Sequence, residues 1–231
     1  RRDIVDSSSF PNMIGSGEKI ASVLGKNGIT NNKAIVVYDN NKNMDSARLW
    51  WTLKVYGNDN VKVVSGGLKA LTAAGAQITA DALSVVETEY KVSSPRMEMI
   101  ADIKYVRNQV NKPSDDVVVI DTRSQEEYDE GTIPGSVLLN FEGNNFKDGT
   151  YKPVQQISIR YLEEGIDGDK EAVMYCKTSI RGAQTYLALY NAGYRKLKLY
   201  DGAWIEWSSN PLNPVYKPEK PGYMIDSSDN S

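Results

Sequence analysis

The chain has 231 residues, enough for one large domain or two small ones, and its 40% hydrophobic and 25% charged content is ordinary for a globular protein. A net charge of -3 gives no general attraction to nucleic acid or anionic membrane, and no apolar run reaches the roughly 20 residues of a membrane-spanning helix. One cysteine excludes an internal disulfide; with no histidine, Cys–His hydrolase chemistry is closed and zinc has too few good ligands, so no metal or cofactor is expected.

The opening R-R-D-I-V-D-S-S-S-F has the pattern of neither a signal peptide nor a domain start. The compartment stays unknown: the cytoplasm is the default for a lone cysteine, and an exported form is compatible with it. Ala34–Tyr38 is the first clear apolar strand, and it runs into Asp39 and the polar stretch N-N-K-N-M-D-S. A helix beginning near Ala47 is closed by Gly57, and a short strand at Val61–Val64 leads into a glycine-containing turn. Gln77–Arg96 is polar with weak periodicity and reads as an interdomain connection. Met97–Val110 carries apolar Met99, Ile100, Ile103 and Val106 at the spacing of one amphipathic helix. Val117–Asp121 is a strand, and a helix is predicted near Val154–Gly165. Ala172–Tyr175 is the next strand; Cys176 follows it, Lys177–Arg181 form a polar loop, and helical spacing runs from Gly182 to Gly193. Leu197–Tyr200 is the last strand, and the tail Lys217–Ser231 is expected to be poorly ordered.

The chain repeats itself. Ala47–Leu68 aligns without gaps on Ala183–Trp204: helix, closing glycine, strand, glycine-containing turn. Strands alternating with helices argue for two α/β units with mainly parallel sheets. The copies differ where chemistry would sit: Cys176 follows the strand in the second, Asp39 in the first, with a loop one residue longer. A carboxylate there is expected to repel anions, so the first half reads as structurally retained and chemically silent. The first half also lacks a counterpart of Val117–Asp121, so an N-terminal segment of the same protein is expected to be missing. The boundaries are a first domain at 1–76, a connection at 77–96, a second domain at 97–216 and a tail at 217–231.

A thiol between a strand end and a helix start faces free backbone N–H groups and should ionise below the usual value of about 8.5. On position and loop composition alone, Cys176 is as readily a small buried hydrophobe as a nucleophile. The wider pattern separates these readings. V-V-V-I-D-T-R-S-Q-E-E-Y, G-T-I-P-G-S, C-K-T-S-I-R and Y-D-G-A-W-I-E-W, with V-V-Y-D, A-R-L-W-W and V-S-G-G-L in the first half, resemble the rhodanese family of sulfurtransferases. The resemblance is to its tandem two-domain thiosulfate sulfurtransferases. It implies two α/β domains, each with a mainly parallel five-stranded sheet flanked by helices, the N-terminal one inactive and here incomplete. It also implies that Cys176 accepts a sulfane sulfur as a persulfide. Thiosulfate-using members carry a lysine where Thr178 stands and an arginine where Glu127 stands; G-H-I-P-G is here G-T-I-P-G. These departures bear on the sulfur donor more than on the reaction class.

Cys176 is thus the expected nucleophile, and the loop Lys177, Thr178, Ser179, Ile180 and Arg181 the expected anion-binding nest. Lys177 and Arg181 add positive charge, and Arg181 can fork onto two oxygens of a sulfonate; Thr178 and Ser179 offer hydroxyl donors. The partners are a small anionic sulfur donor and a thiophilic acceptor such as cyanide or a thiol. No general base is needed, because nucleophile and leaving group are already anions. Asp121, Arg123 and Trp204 are candidates for support: Arg123 in an ion pair with Asp121 or Glu126, Trp204 as core or pocket wall, like Trp207. Trp50 and Trp51 suit helix packing between the domains. Two rivals stand beside this reading. A cysteine-dependent phosphatase or arsenate reductase needs five residues between cysteine and arginine, whereas four lie between Cys176 and Arg181. A non-catalytic rhodanese-like module would carry sulfur or bind a protein.

Overall fold

The computed structural model describes residues 3–218. Two α/β units share one continuous apolar core that draws on both. The first unit opens with an antiparallel pair, β1 (Val5–Asp6) and β2 (Met13–Ile14), followed by helix α1 (Gly17–Lys26), whose N-terminus is capped by Ser16. Strand β3 (Ile35–Val37), helix α2 (Met44–Val55), strand β4 (Val61–Val63) and helix α3 (Gly67–Ala73) complete it. β3 and β4 pair in parallel as a two-stranded sheet, the reduced form of the expected five strands. Val36 on β3 and Tyr38 just beyond its end stay exposed.

No helix or strand forms between residues 74 and 96, but the connection is tied down. The amides of Thr88, Ser93 and Arg96 donate to the carbonyls of Gly25, Tyr56 and Val55 at 2.9, 3.1 and 2.9 Å, and Tyr90 is buried. Gly25 is required there: a Cβ would sit 2.4 Å from the Thr88 carbonyl oxygen.

The single helix expected over Met97–Val110 is instead three elements. A 3₁₀ turn at Met97–Met99 leads into strand β5 (Ile100–Ala101), and helix α4 (Ile103–Asn111) starts only after Asp102. The Asp102 side chain caps α4 by accepting from the Tyr105 amide at 2.7 Å, and β5 is captured by a sheet edge that helical periodicity cannot reveal. Then come β6 (Val117–Asp121), α5 (Gln125–Glu130), β7 (Val137–Leu138), α6 (Val154–Glu163), β8 (Glu171–Tyr175), α7 (Ile180–Asn191), β9 (Leu197–Tyr200) and α8 (Ala203–Ser209). Five parallel strands lie in the order β5-β9-β8-β6-β7. β6 and β8 read V-V-V-I-D and E-A-V-M-Y, the near-continuous apolar runs of strands covered on both faces.

The units are joined through α2 and α7, both buried along most of their length. Trp50 packs on Tyr186 and Tyr190 of α7 with ring centroids 6.1 and 5.1 Å apart. Trp51 is fully buried, with the Arg48 guanidinium 4.6 Å from its ring. Tyr216 bridges to Thr132; the expectation for the tail falls mainly on residues 219–231, outside the described residues. Among the described residues no helix is long and apolar enough to cross a membrane.

Candidate active site

β8 is central in its sheet, and Cys176 follows its last residue at the carboxyl end, where open parallel sheets form their ligand crevices. α7 begins at Ile180, two residues earlier than the spacing indicates, because Ser179 adopts the left-handed conformation (φ 60°) and turns the chain directly into the helix. Arg181 is therefore in the first helical turn rather than at a loop end. Backbone N–H groups in that turn have no partner within the helix.

Cys176 is 1% exposed, so its sulfur is covered rather than open to solvent. Its carbonyl accepts from the Trp204 amide at 2.9 Å, clasping the loop to the turn after β9, where Ala203 is also left-handed (φ 59°). Arg181 is near enough to Cys176 for their charges to interact. Burial opposes its charge, but hydrogen bonds to Glu127 together with the charge and hydrogen bond of Cys176 outweigh burial and raise its pKa. Its Nη1 and Nη2 donate to Glu127 Oε2 and Oε1 at 2.5 and 2.8 Å. The fork expected to grip a sulfonate is thus engaged with a carboxylate. Glu127 in turn is pulled down to about 2, first by Arg181, against desolvation and with help from the Ser124 amide.

The other loop residues divide. Lys177 is exposed. Thr178 is half-buried and accepts from Asn12 Nδ2 at 3.2 Å. Ser179 was expected to offer its hydroxyl to an anion, but that hydroxyl donates to the Tyr200 carbonyl because the left-handed turn aims it at β9. Ile180 is buried. Arg123 is buried in a bidentate ion pair with Asp121 (Nε–Oδ1 2.9 Å, Nη2–Oδ2 2.6 Å), donates to the Gly131 carbonyl at 2.7 Å, and lies 4.5 Å from the Trp204 ring. Asp121 also accepts from Thr132 and Tyr175 hydroxyls, each at 2.9 Å. This network lies beside the cysteine loop, with the Trp204 amide on the Cys176 carbonyl and the Trp204 ring on Arg123. Trp207 is buried in the core beneath it and donates to the Pro214 carbonyl at 2.9 Å.

The first unit builds the same cup around Asp39. The Leu68 amide donates to the Asp39 carbonyl at 3.1 Å as Trp204 does to Cys176, Gly67 (φ 61°) stands for Ala203, and Asn43 (φ 64°) for Ser179. The Asp39 carboxylate does more than repel anions: it occupies the cup. Oδ1 accepts from the Asn41 and Asn43 amides at 2.8 and 3.1 Å, and Oδ2 from the Ser46 amide at 2.7 Å.

Sequence reasoning passed over Asn12, Arg48 and Asp201. Arg48 is fully buried, and its Nη2 donates to Asp201 Oδ1 at 2.5 Å and to the Asn12 carbonyl at 2.7 Å. A charge inside the otherwise apolar A-R-L-W-W was the available signal, since a buried cation demands a partner. A cavity of about 640 Å³ also opens between β4, α2, α6 and α7; it does not include Cys176, and the chemistry outweighs its size in locating the site.

Comparison with known proteins agrees with this architecture. The family model described as "Rhodanese-like domain" matches residues 5–74 and 102–210. A "Putative thiosulfate sulfurtransferase" of Mycolicibacterium smegmatis is 27% identical over 232 residues, covering 93% of this chain and 79% of that protein. The thiosulfate/3-mercaptopyruvate sulfurtransferase 1 of Arabidopsis thaliana mitochondria is 26% identical, covering 90% of this chain and 62% of that protein. Among solved structures, EanB with a cysteine persulfide and ergothioneine superposes with a TM-score of 0.84 at 24% identity, covering 94% of this chain and 59% of that one. The anaerobic ergothioneine biosynthesis enzyme of Chlorobium limicola gives 0.82 at 24%, covering 94% of this chain and 58% of that one. The chain thus spans less than three fifths of these structures, and the likeness to them is one of fold. With the match extending through both units and the cup repeated in each, the chain belongs to the rhodanese-like domain family.

Proposed function

We propose that the protein is a rhodanese-type sulfurtransferase that carries a sulfane sulfur on Cys176, taken from thiosulfate or a related donor. The observation that carries this reading is the pair of cups: one is closed by its own carboxylate, while the other sets a buried thiol at the equivalent strand end, near enough to Arg181 for their charges to interact. The Cys176 thiolate attacks the outer sulfur of thiosulfate; a sulfur–sulfur bond forms to Cys176 as the donor's sulfur–sulfur bond breaks, and sulfite leaves with the electron pair. Cyanide or a thiolate then attacks the outer persulfide sulfur, forming thiocyanate or a new persulfide and returning the Cys176 thiolate. Charge balances in both steps, and no proton need move.

Glu127 neutralises much of Arg181, so a doubly charged donor is held less strongly than a free guanidinium would hold it. Incubation with thiosulfate, 3-mercaptopyruvate and polysulfide, followed by intact-mass measurement, should add one sulfur to the wild type and none to Cys176→Ala. Thiosulfate is expected among the accepted donors, and Arg181→Ala should weaken its use more than Lys177→Ala. An unmodified Cys176 with every donor sinks the proposal and leaves the protein-binding module.

A further inference from the structure

The chemically silent unit reaches into the cysteine loop at Asn12. This residue has φ 65°, a left-handed conformation that asparagine tolerates better than most. It is clamped from two sides. Its carbonyl accepts from Arg48 Nη2 at 2.7 Å; Arg48 is paired with Asp201, and Asp201 Oδ2 accepts from the Ile14 amide at 2.8 Å. Asp201 directly follows β9, one residue before the Ala203 turn that clasps Cys176 begins, so the Asn12 backbone is pinned between α2 and the edge of the site. From that anchored position, Asn12 Nδ2 donates to Thr178 Oγ1 at 3.2 Å, two residues beyond Cys176.

A hydroxyl has one proton and two acceptor positions. An amide N–H that fills an acceptor position leaves the proton as the useful remainder. We propose that Asn12 is a positioning residue for the sulfur site: by donating to Thr178 it fixes that hydroxyl as a donor toward the anionic sulfur donor or the persulfide. The proposal rests on the reading of Cys176 as a sulfur acceptor. The clamp also explains why a buried arginine is kept in α2. The first unit then contributes to chemistry without possessing a nucleophile.

A mere clip between the units would behave differently, and two substitutions separate the cases. Asn12→Gly keeps the positive φ and deletes the amide. Asn12→Asp keeps the shape and replaces the N–H donor with an acceptor that captures the Thr178 proton. Single-turnover persulfide formation from thiosulfate, followed by quenched intact mass, should slow about tenfold in Asn12→Gly and by more, roughly thirtyfold, in Asn12→Asp. A clip makes the isosteric aspartate the milder change. In a Thr178→Val background both substitutions should add less than about twofold, whereas a general repulsion by the new carboxylate would persist there undiminished. Urea unfolding of each variant checks that folding is retained.

Aspartate as mild as glycine, or effects undiminished in the valine background, would overturn the proposal. If the wild type takes sulfur from no donor, the sulfurtransfer reading has failed by itself. Alkylation of Cys176 then decides on Asn12: the rate with anionic iodoacetate relative to neutral iodoacetamide should fall in Asn12→Asp more than in Asn12→Gly, and only with Thr178 present. An unchanged ratio overturns the role of Asn12.

Discussion

The two cups share a backbone and differ in what ends the strand. Each has a left-handed residue before its helix, Asn43 or Ser179, and another left-handed residue after the next strand, Gly67 or Ala203. Each strand-end carbonyl is clasped by the amide beyond that second turn. At the end of β3, a carboxylate folds back and takes three amides. At the end of β8 stands a buried thiol, which has no side-chain oxygen to accept at the counterpart positions Ser179 and Gly182. The lesson is that one backbone cup can be closed by the chain's own carboxylate, as at Asp39, or be left to a thiol, as at Cys176.

The most damaging way to break this contrast is to make the second cup a copy of the first. Cys176→Asp should abolish sulfur uptake, by at least about a thousandfold, because the nucleophile is gone. It should nevertheless unfold at higher urea than Cys176→Ala if the new carboxylate accepts from the amides at the start of α7 as Asp39 does at the start of α2. Next comes the joint that holds the cups together. Trp50→Ala removes the ring between Tyr186 and Tyr190 and should cost about 3–5 kcal/mol in urea unfolding. Opening the first cup is milder: Asp39→Ala should cost about 1–2 kcal/mol by orphaning helix-start amides, and sulfate should then stabilise the variant more than the wild type. Equal sulfate effects would show that the emptied cup binds nothing.

The smallest effect sharpens the contrast through pH. Glu127 has a depressed value, about 2 against an ordinary 4.5, so its ion pair contributes fully above the ordinary value and is lost as pH falls through about 2. Wild type and Glu127→Gln should therefore differ most near pH 6 and converge toward pH 2. The gap should stay below about 1 kcal/mol, since the pair is partly solvated. A gap that widens on acidification would mean the carboxylate is held by something other than Arg181.

What could be read from residues alone follows the range of the forces involved. β6 and β9 were legible to the residue, because apolar runs bounded by turn signals need no distant partner to declare them. Cys176 stood out through its singularity and through the repeat that sets it against Asp39. β5 was hidden inside a helical pattern, because two residues become a strand only when β9 offers an edge. The early start of α7 depends on the φ of Ser179, which its side chain does not announce. Asp39 reads from the sequence as a charge that repels other anions. That its own oxygens take the amides of Asn41, Asn43 and Ser46 depends on how the loop folds back, which no local pattern declares. The Arg48–Asp201 and Asn12–Thr178 contacts join residues far apart in the chain, and no local pattern encodes them.

β3 carries a further consequence. Its exposed Val36, with exposed Tyr38 just past its end, lies on a two-stranded sheet whose outer flank holds no described strand. Bare peptide groups flanked by β-branched and aromatic side chains are a template for association between copies, as protein is concentrated or warmed. A lysine at position 36 would act as a gatekeeper there, leaving both cups untouched while raising the concentration at which the chain stays monodisperse.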